Sequence, residues 1–143
     1  MKSRMRIGAV MLTVWGLSCS TATGIQLADL AGTWTAQSLV FTNAANAGQT
    51  FDIIANGGSY AVTLEANGDY TSSFTFAQES ETASGTYVVT GTIMTLAESG
   101  QGSPEDYQVT RDGNNMTLIG TNSWDFDNDG TDEDAILMVM LTR

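Results

Sequence analysis

Residues 59–76, SYAVTLEANGDYTSSFTF, decide the fold. Tyr60, Val62 and Leu64 alternate with Ala61, Thr63 and Glu65. After Asn67-Gly68-Asp69, Tyr70, Ser72, Phe74 and Phe76 alternate with Thr71, Ser73 and Thr75. Successive side chains of a strand point to opposite faces. A period of two with the large apolar residues in one phase therefore describes a strand with one face buried and one wet. Asn-Gly supplies the left-handed backbone that a tight hairpin needs, so the two runs form an antiparallel pair.

The same rhythm spreads outward in both directions, with turn residues about every 8 to 12 positions, the signature of a sandwich or barrel. Toward the C-terminus, strands are expected at 86–90 and 92–97 around Gly91, at 106–111, and at 115–126 after the turn Asp112-Gly113-Asn114. The last is expected at 135–143. Residues 78–83 and 98–104 read as polar loops. Toward the N-terminus, residues 32–42 read as the first strand, preceded by a short helical turn within 25–31. Residues 44–55 read as a short helix stopped by Asn56-Gly57-Gly58. The expectation is an all-β chain: an eight-stranded antiparallel up-and-down barrel with a short N-terminal helical turn. Closure removes exposed strand edges. At eight strands the interior is either filled by side chains or holds one small ligand.

Composition narrows the chemistry. Histidine is absent, and Cys19 is the only cysteine. Histidine-based acid–base catalysis, Ser-His-Asp triads and ordinary zinc sites are thereby removed. The net charge is -11. Lys2, Arg4 and Arg6 sit at the extreme N-terminus, so only Arg111 and Arg143 stand against the sixteen acids, all of which follow Cys19. Such a field repels phosphate backbones, and no nucleic-acid partner is expected. Carboxylates alone could act as acid and base. Nearly all read as loop or outward residues, with Glu65 and Asp69 beside a barrel mouth, and no enzyme is expected.

The basic start, the apolar run at 7–17 and the small residues that follow describe a secretory signal, too short to cross a bilayer. Residues 1–18 are read as that signal, 19–29 as a tether and 30–143 as the folded domain. Trp15-Gly16-Leu17-Ser18-Cys19 resembles a bacterial lipobox, with Gly16 where leucine is preferred. The resemblance implies lipidation of Cys19 and a chain exported and anchored to the outer membrane or cell surface. Several acyl chains would hold it there, and that lipid anchor would be its one membrane contact. Cleavage after Ala22 would instead leave it periplasmic or secreted.

Gly32-Thr33-Trp34 at the start of the first strand resembles the G-x-W signature of lipocalins, and the chain ends on Leu141-Thr142-Arg143. The resemblance, loose over 30–143, is to lipocalin-like (calycin) domains of exported bacterial lipoproteins. It implies that Arg143 lies over the Trp34 indole at the barrel floor. A guanidinium there gains about 0.5–2 kcal/mol. It also implies carriage of a small ligand. Trp34 would serve equally as a large core residue of any β-barrel or sandwich.

Two candidate sites follow. Tyr60, Val62, Leu64, Tyr70, Phe74, Phe76, Tyr87 and Tyr107 share one face of their strands. They offer apolar bodies with phenol tips, suited to a small, partly apolar ligand, with Phe74 and Tyr87 expected to line its cavity. A packed core with hydroxyls at the rim is the alternative. The second site is the acidic run at 125–134. Asp125, Asp127 and Asp129 with Gly130 resemble the first half of a calcium loop, Thr131 would offer its carbonyl, and Glu133 takes the ninth place. Ile136 stands where a bidentate glutamate belongs, so the run is not an EF-hand. A solvated acidic hairpin is the alternative. No cofactor is required on this reading. Calcium is the cation the loop would take, and a scaffold that meets a partner through it is the second function class. The sequence names no protein partner.

Overall fold

The structure, a computed structural model, describes residues 24–143. The signal at 1–18, Cys19 and the first part of the tether lie outside the described residues. The helical turn is α1 (Leu27–Leu30). Nine strands follow: β1 (Gly32–Asn43), β2 (Thr50–Asp52), β3 (Ser59–Leu64), β4 (Asp69–Phe76), β5 (Glu79–Thr90), β6 (Ile93–Glu98), β7 (Glu105–Asp112), β8 (Asn115–Trp124) and β9 (Glu133–Thr142). Every pairing is antiparallel. The order runs β2-β1-β3-β4-β5-β6-β7-β8-β9, and β1 also pairs with β9. Eight strands therefore close into a barrel, and β2 is an added strip on β1. Among the described residues no helix is long and apolar enough to cross a membrane.

β1 makes the closure by changing partners along its length. Its first residues pair with β3, Trp34 opposite Val62. The rest pairs with β9, from Thr35 opposite Thr142 to Asn43 opposite Ala135. A bulge between Ala36 and Ser38 inserts one residue and switches the inward phase. Trp34 and Ala36 point in before it, Leu39 and Phe41 after it, and all four are buried. Where β1 leaves β3, the gap is covered by β2 and by Ile53, which is 0% exposed. Gly58 is required beneath it, since a Cβ there would lie 2.4 Å from Ile53 Cγ2.

Three expectations need correction. Residues 44–55 hold no helix. Asn43 Oδ1 accepts the amides of Ala45 and Asn46, and Asp52 Oδ1 those of Ile54 and Ala55. Short polar side chains thus draw the backbone amides into turns that compete with a helix. Residues 78–83 are not a loop, because β5 begins at Glu79. Its hairpin with β4 turns on Ala77 (φ 50) and Gln78 (φ 70). The left-handed pair is there without the Asn-Gly that usually announces it. Finally, Glu65 and Asp69 lie at the closed end. The Tyr87 hydroxyl donates to the Glu65 carbonyl at 2.7 Å, and Gly68 sits against Leu27 of α1.

Candidate functional site

The floor is built by α1 and the two ends of the sheet. Leu30 and Trp34 are both 0% exposed. The Trp34 indole N–H donates to the Leu30 carbonyl at 2.7 Å, satisfying a buried donor. Arg143 Cζ lies 4.5 Å from the indole centroid, and its Nη1 donates to the Ala31 carbonyl at 2.6 Å. The guanidinium is therefore held by a hydrogen bond on one side and a π face on another, and this end is shut.

Away from the floor, the barrel holds a cavity of about 280 Å³. Leu39, Phe41, Phe74, Leu96, Leu118, Leu137 and Val139 give it an apolar wall. Tyr60, Tyr107, Glu81, Glu98 and Asn122 give it polar points. A second recess of about 310 Å³ shares Leu96 and Glu98 and adds Tyr70 and Glu105 beneath the loop after β6. The Tyr107 ring lies where Gly120, its partner across β7 and β8, leaves room. A Cβ at Gly120 would meet that ring at 2.6 Å. The Tyr107 hydroxyl donates to Glu105 Oε2 at 2.5 Å. Burial, then that hydrogen bond and the Glu105 charge, push its pKa well up. Burial, with Tyr70 and Glu105 nearby, pushes Tyr60 up to about 12. Both stay neutral phenols in ordinary solution.

The eight face residues separate by depth. Tyr60, Phe74 and Tyr107 line the cavity and Tyr70 the adjoining recess. Val62, Leu64 and Tyr87 are buried outside that lining, Tyr87 anchored beside α1. Phe76 belongs to an aromatic group at the rim. There the Trp124 indole is stacked between Phe41 at 4.9 Å and Phe51 at 5.0 Å, with Phe76 edge-on to Phe51. Phe51 comes from β2, so the added strip partly roofs the barrel with apolar surface.

Glu81, Glu98 and Glu105 are not among the inward-facing residues expected from the sequence; Glu81 and Glu105 are exposed and Glu98 is half-buried. Glu81 and Glu98 fall in the stretches 78–83 and 98–104 that read as loop, and Glu105 falls between the second of these and the strand expected at 106–111. Strand parity was the available signal: Glu81 is in phase with Tyr87, Glu98 with Met94, and Glu105 with Tyr107.

Beyond the rim, the acidic loop gathers its side chains. Ligand atoms of Asp125, Asp127, Asp129 and Glu133 lie within 4.8 Å of one another. Asp125 accepts the amides of Asp129 and Gly130, Asp129 that of Thr131, and Glu133 that of Phe126. Asn128 (φ 58) and Gly130 (φ 88) bend the chain around the carboxylates. These amides offset part of the mutual repulsion, as a bound cation would. Thr131 is brought into the loop without a side-chain carboxylate to add.

A surface concavity of about 480 Å³ lies on the opposite side of the β3–β4–β5 sheet and is lined mainly by hydroxyls such as Thr63, Thr71 and Ser84. It offers no charged group. Comparison with protein-family models, with curated proteins and with solved structures finds no match to this chain.

Proposed function

We propose that this chain is a lipocalin-like, non-catalytic carrier that holds a small, partly apolar molecule in the mouth of its barrel and is tethered outside a bacterial cell by a lipid on Cys19. The observation that carries the reading is the cavity of about 280 Å³, shut at the Trp34 end and walled by apolar side chains with a few polar points. Small-ligand sites have this mixed character. The G-x-W at the start of β1 and the arginine over its indole support the family resemblance.

The test is titration with N-phenyl-1-naphthylamine, a neutral apolar fluorophore. Saturable binding with a blue shift is expected, with quenching of Trp124, whose stacking partner Phe41 lines the cavity. Val139→Phe, placing a ring in the cavity, should abolish binding in a chain whose near-ultraviolet circular dichroism shows it folded. No saturable signal would count against carriage.

A second reading is favoured by the convergence of Asp125, Asp127, Asp129 and Glu133. Here the barrel is a scaffold and the loop a weak calcium site facing a partner at the envelope. Calcium at millimolar concentration should then raise Tm, and Asp125→Asn with Asp129→Asn should remove the rise. An unchanged Tm would retire the loop as a calcium site.

A further inference from the structure

The cavity is apolar within and acidic at its rim, and that combination selects the charge of what enters. Glu81 stands directly opposite Phe74 across β4 and β5, and Glu98 is opposite Gly85. Glycine at that place leaves Glu98 uncovered by a neighbour's side chain. Both carboxylates line the cavity, and Glu105 borders the adjoining recess. The described residues contain two cations, and neither lines either space. Arg143 is engaged at the floor. Arg111 pairs in register with Met116 next to the β7–β8 turn, away from Glu105 at the other end of β7.

An anionic head group entering this mouth would meet two carboxylates, Glu81 exposed and Glu98 half-buried, with no counter-charge beside them. A cationic one would meet paired charge, phenol rings and phenylalanine, the surroundings that bind organic ammonium groups. Sixteen acids against two arginines give the approach a field of the same sign. Resting on the carrier reading above, we infer that the ligand is an organic amine: an ammonium head at the rim in the field of Glu81 and Glu98, which stand four residues apart in register along β5, with an apolar tail in the cavity toward Leu118 and Val139. Fatty acids and other amphiphilic anions are excluded as cargo.

Three amphiphiles of equal chain length separate charge from apolarity: octylammonium, octanol and octanoate, each competing against N-phenyl-1-naphthylamine at neutral pH. Octylammonium should displace the probe best, octanol less well and octanoate least. Glu81→Gln with Glu98→Gln should weaken octylammonium about tenfold, a loss within the range for two solvent-accessible ion pairs, and leave octanol unchanged. Asp112→Asn with Asp134→Asn makes the same change of net charge outside the barrel and should leave all three unchanged. Should the double glutamine variant not fold, Glu98→Gln alone and the wild-type order carry the test. Octanoate competing as well as octylammonium would overturn the inference. So would an amine affinity indifferent to the glutamines, or one weakened equally by the outer pair. In these cases the probe itself still binds and the carrier reading stands. If neither probe nor amphiphile binds, the carrier reading fails and the inference with it.

Discussion

At the scale of single residues, the two ends of the barrel are set by different chemistry. At the floor, Arg143 joins a π contact to one hydrogen bond to a backbone carbonyl. Arg143→Ala should cost about 1–2 kcal/mol. The loss is read as a lower urea midpoint at unchanged slope, and Arg143→Lys should restore only part of it. At the mouth, the phenols report on pH. Tyr60 has a folded value of about 12 against 10.0 for an unperturbed tyrosine, so the folded state holds its proton where the unfolded state releases it. Its contribution is fully present below pH 10 and is lost as pH rises through about 12. Stability should therefore fall across that interval, and Tyr60→Phe should flatten the fall. Absorbance titration at the tyrosinate band, with urea melts at each pH, checks both.

At the scale of elements, the least expected feature is the β4–β5 hairpin. Two consecutive non-glycine residues, Ala77 and Gln78, adopt left-handed backbone. Each carries a steric cost of about 1 kcal/mol that asparagine and glycine largely avoid. Ala77→Asn with Gln78→Gly should stabilise the chain by about 1–2 kcal/mol in denaturant melts, with the hairpin register unchanged. The same turn explains a misreading. No glycine or asparagine marks it, and the run QESETA has the composition of a loop, so 78–83 was not legible as strand. Only pairing with β4, Phe76 opposite Glu79 through Asp69 opposite Thr86, makes it one. The stretch at 44–55 differs the other way: Asn56-Gly57-Gly58 reads as a helix stop, while Asn43 and Asp52 capture the amides a helix would use.

At the scale of the molecule, one continuous sheet closed by β1 and β9 makes the barrel a single cooperative unit. The seam joins residues from opposite ends of the domain, as in Thr35 opposite Thr142. Such pairing carries the loop-closure cost of nearly the whole chain and forms slowly. Leu141 is 2% exposed beside the bulge, opposite Ala36 on β1 and Met116 on β8. Leu141→Ala should cost about 2–5 kcal/mol. It should lower hydrogen-exchange protection across all eight barrel strands together. Loss confined to β9 would mean that the seam is a local flap and the sheet is not one unit.

The sequence by itself determined the all-β class, the inward phase of most strands, the short helical turn and the absence of histidine chemistry. Those properties follow from composition and from a period of two, and both are local. That Glu81 and Glu98 lie in strands at all, and so face inward, was decided only by the tertiary structure. Glu81 becomes an inward residue when β5 pairs with β4, and Glu98 when β6 extends as far as the position opposite Gly85. The depth that separates Tyr87 at the floor from Tyr107 at the cavity depends likewise on strand stagger. Parity along a strand can be read from its own residues, whereas height in a barrel is a relation between strands, written in hydrogen bonds that no single segment contains.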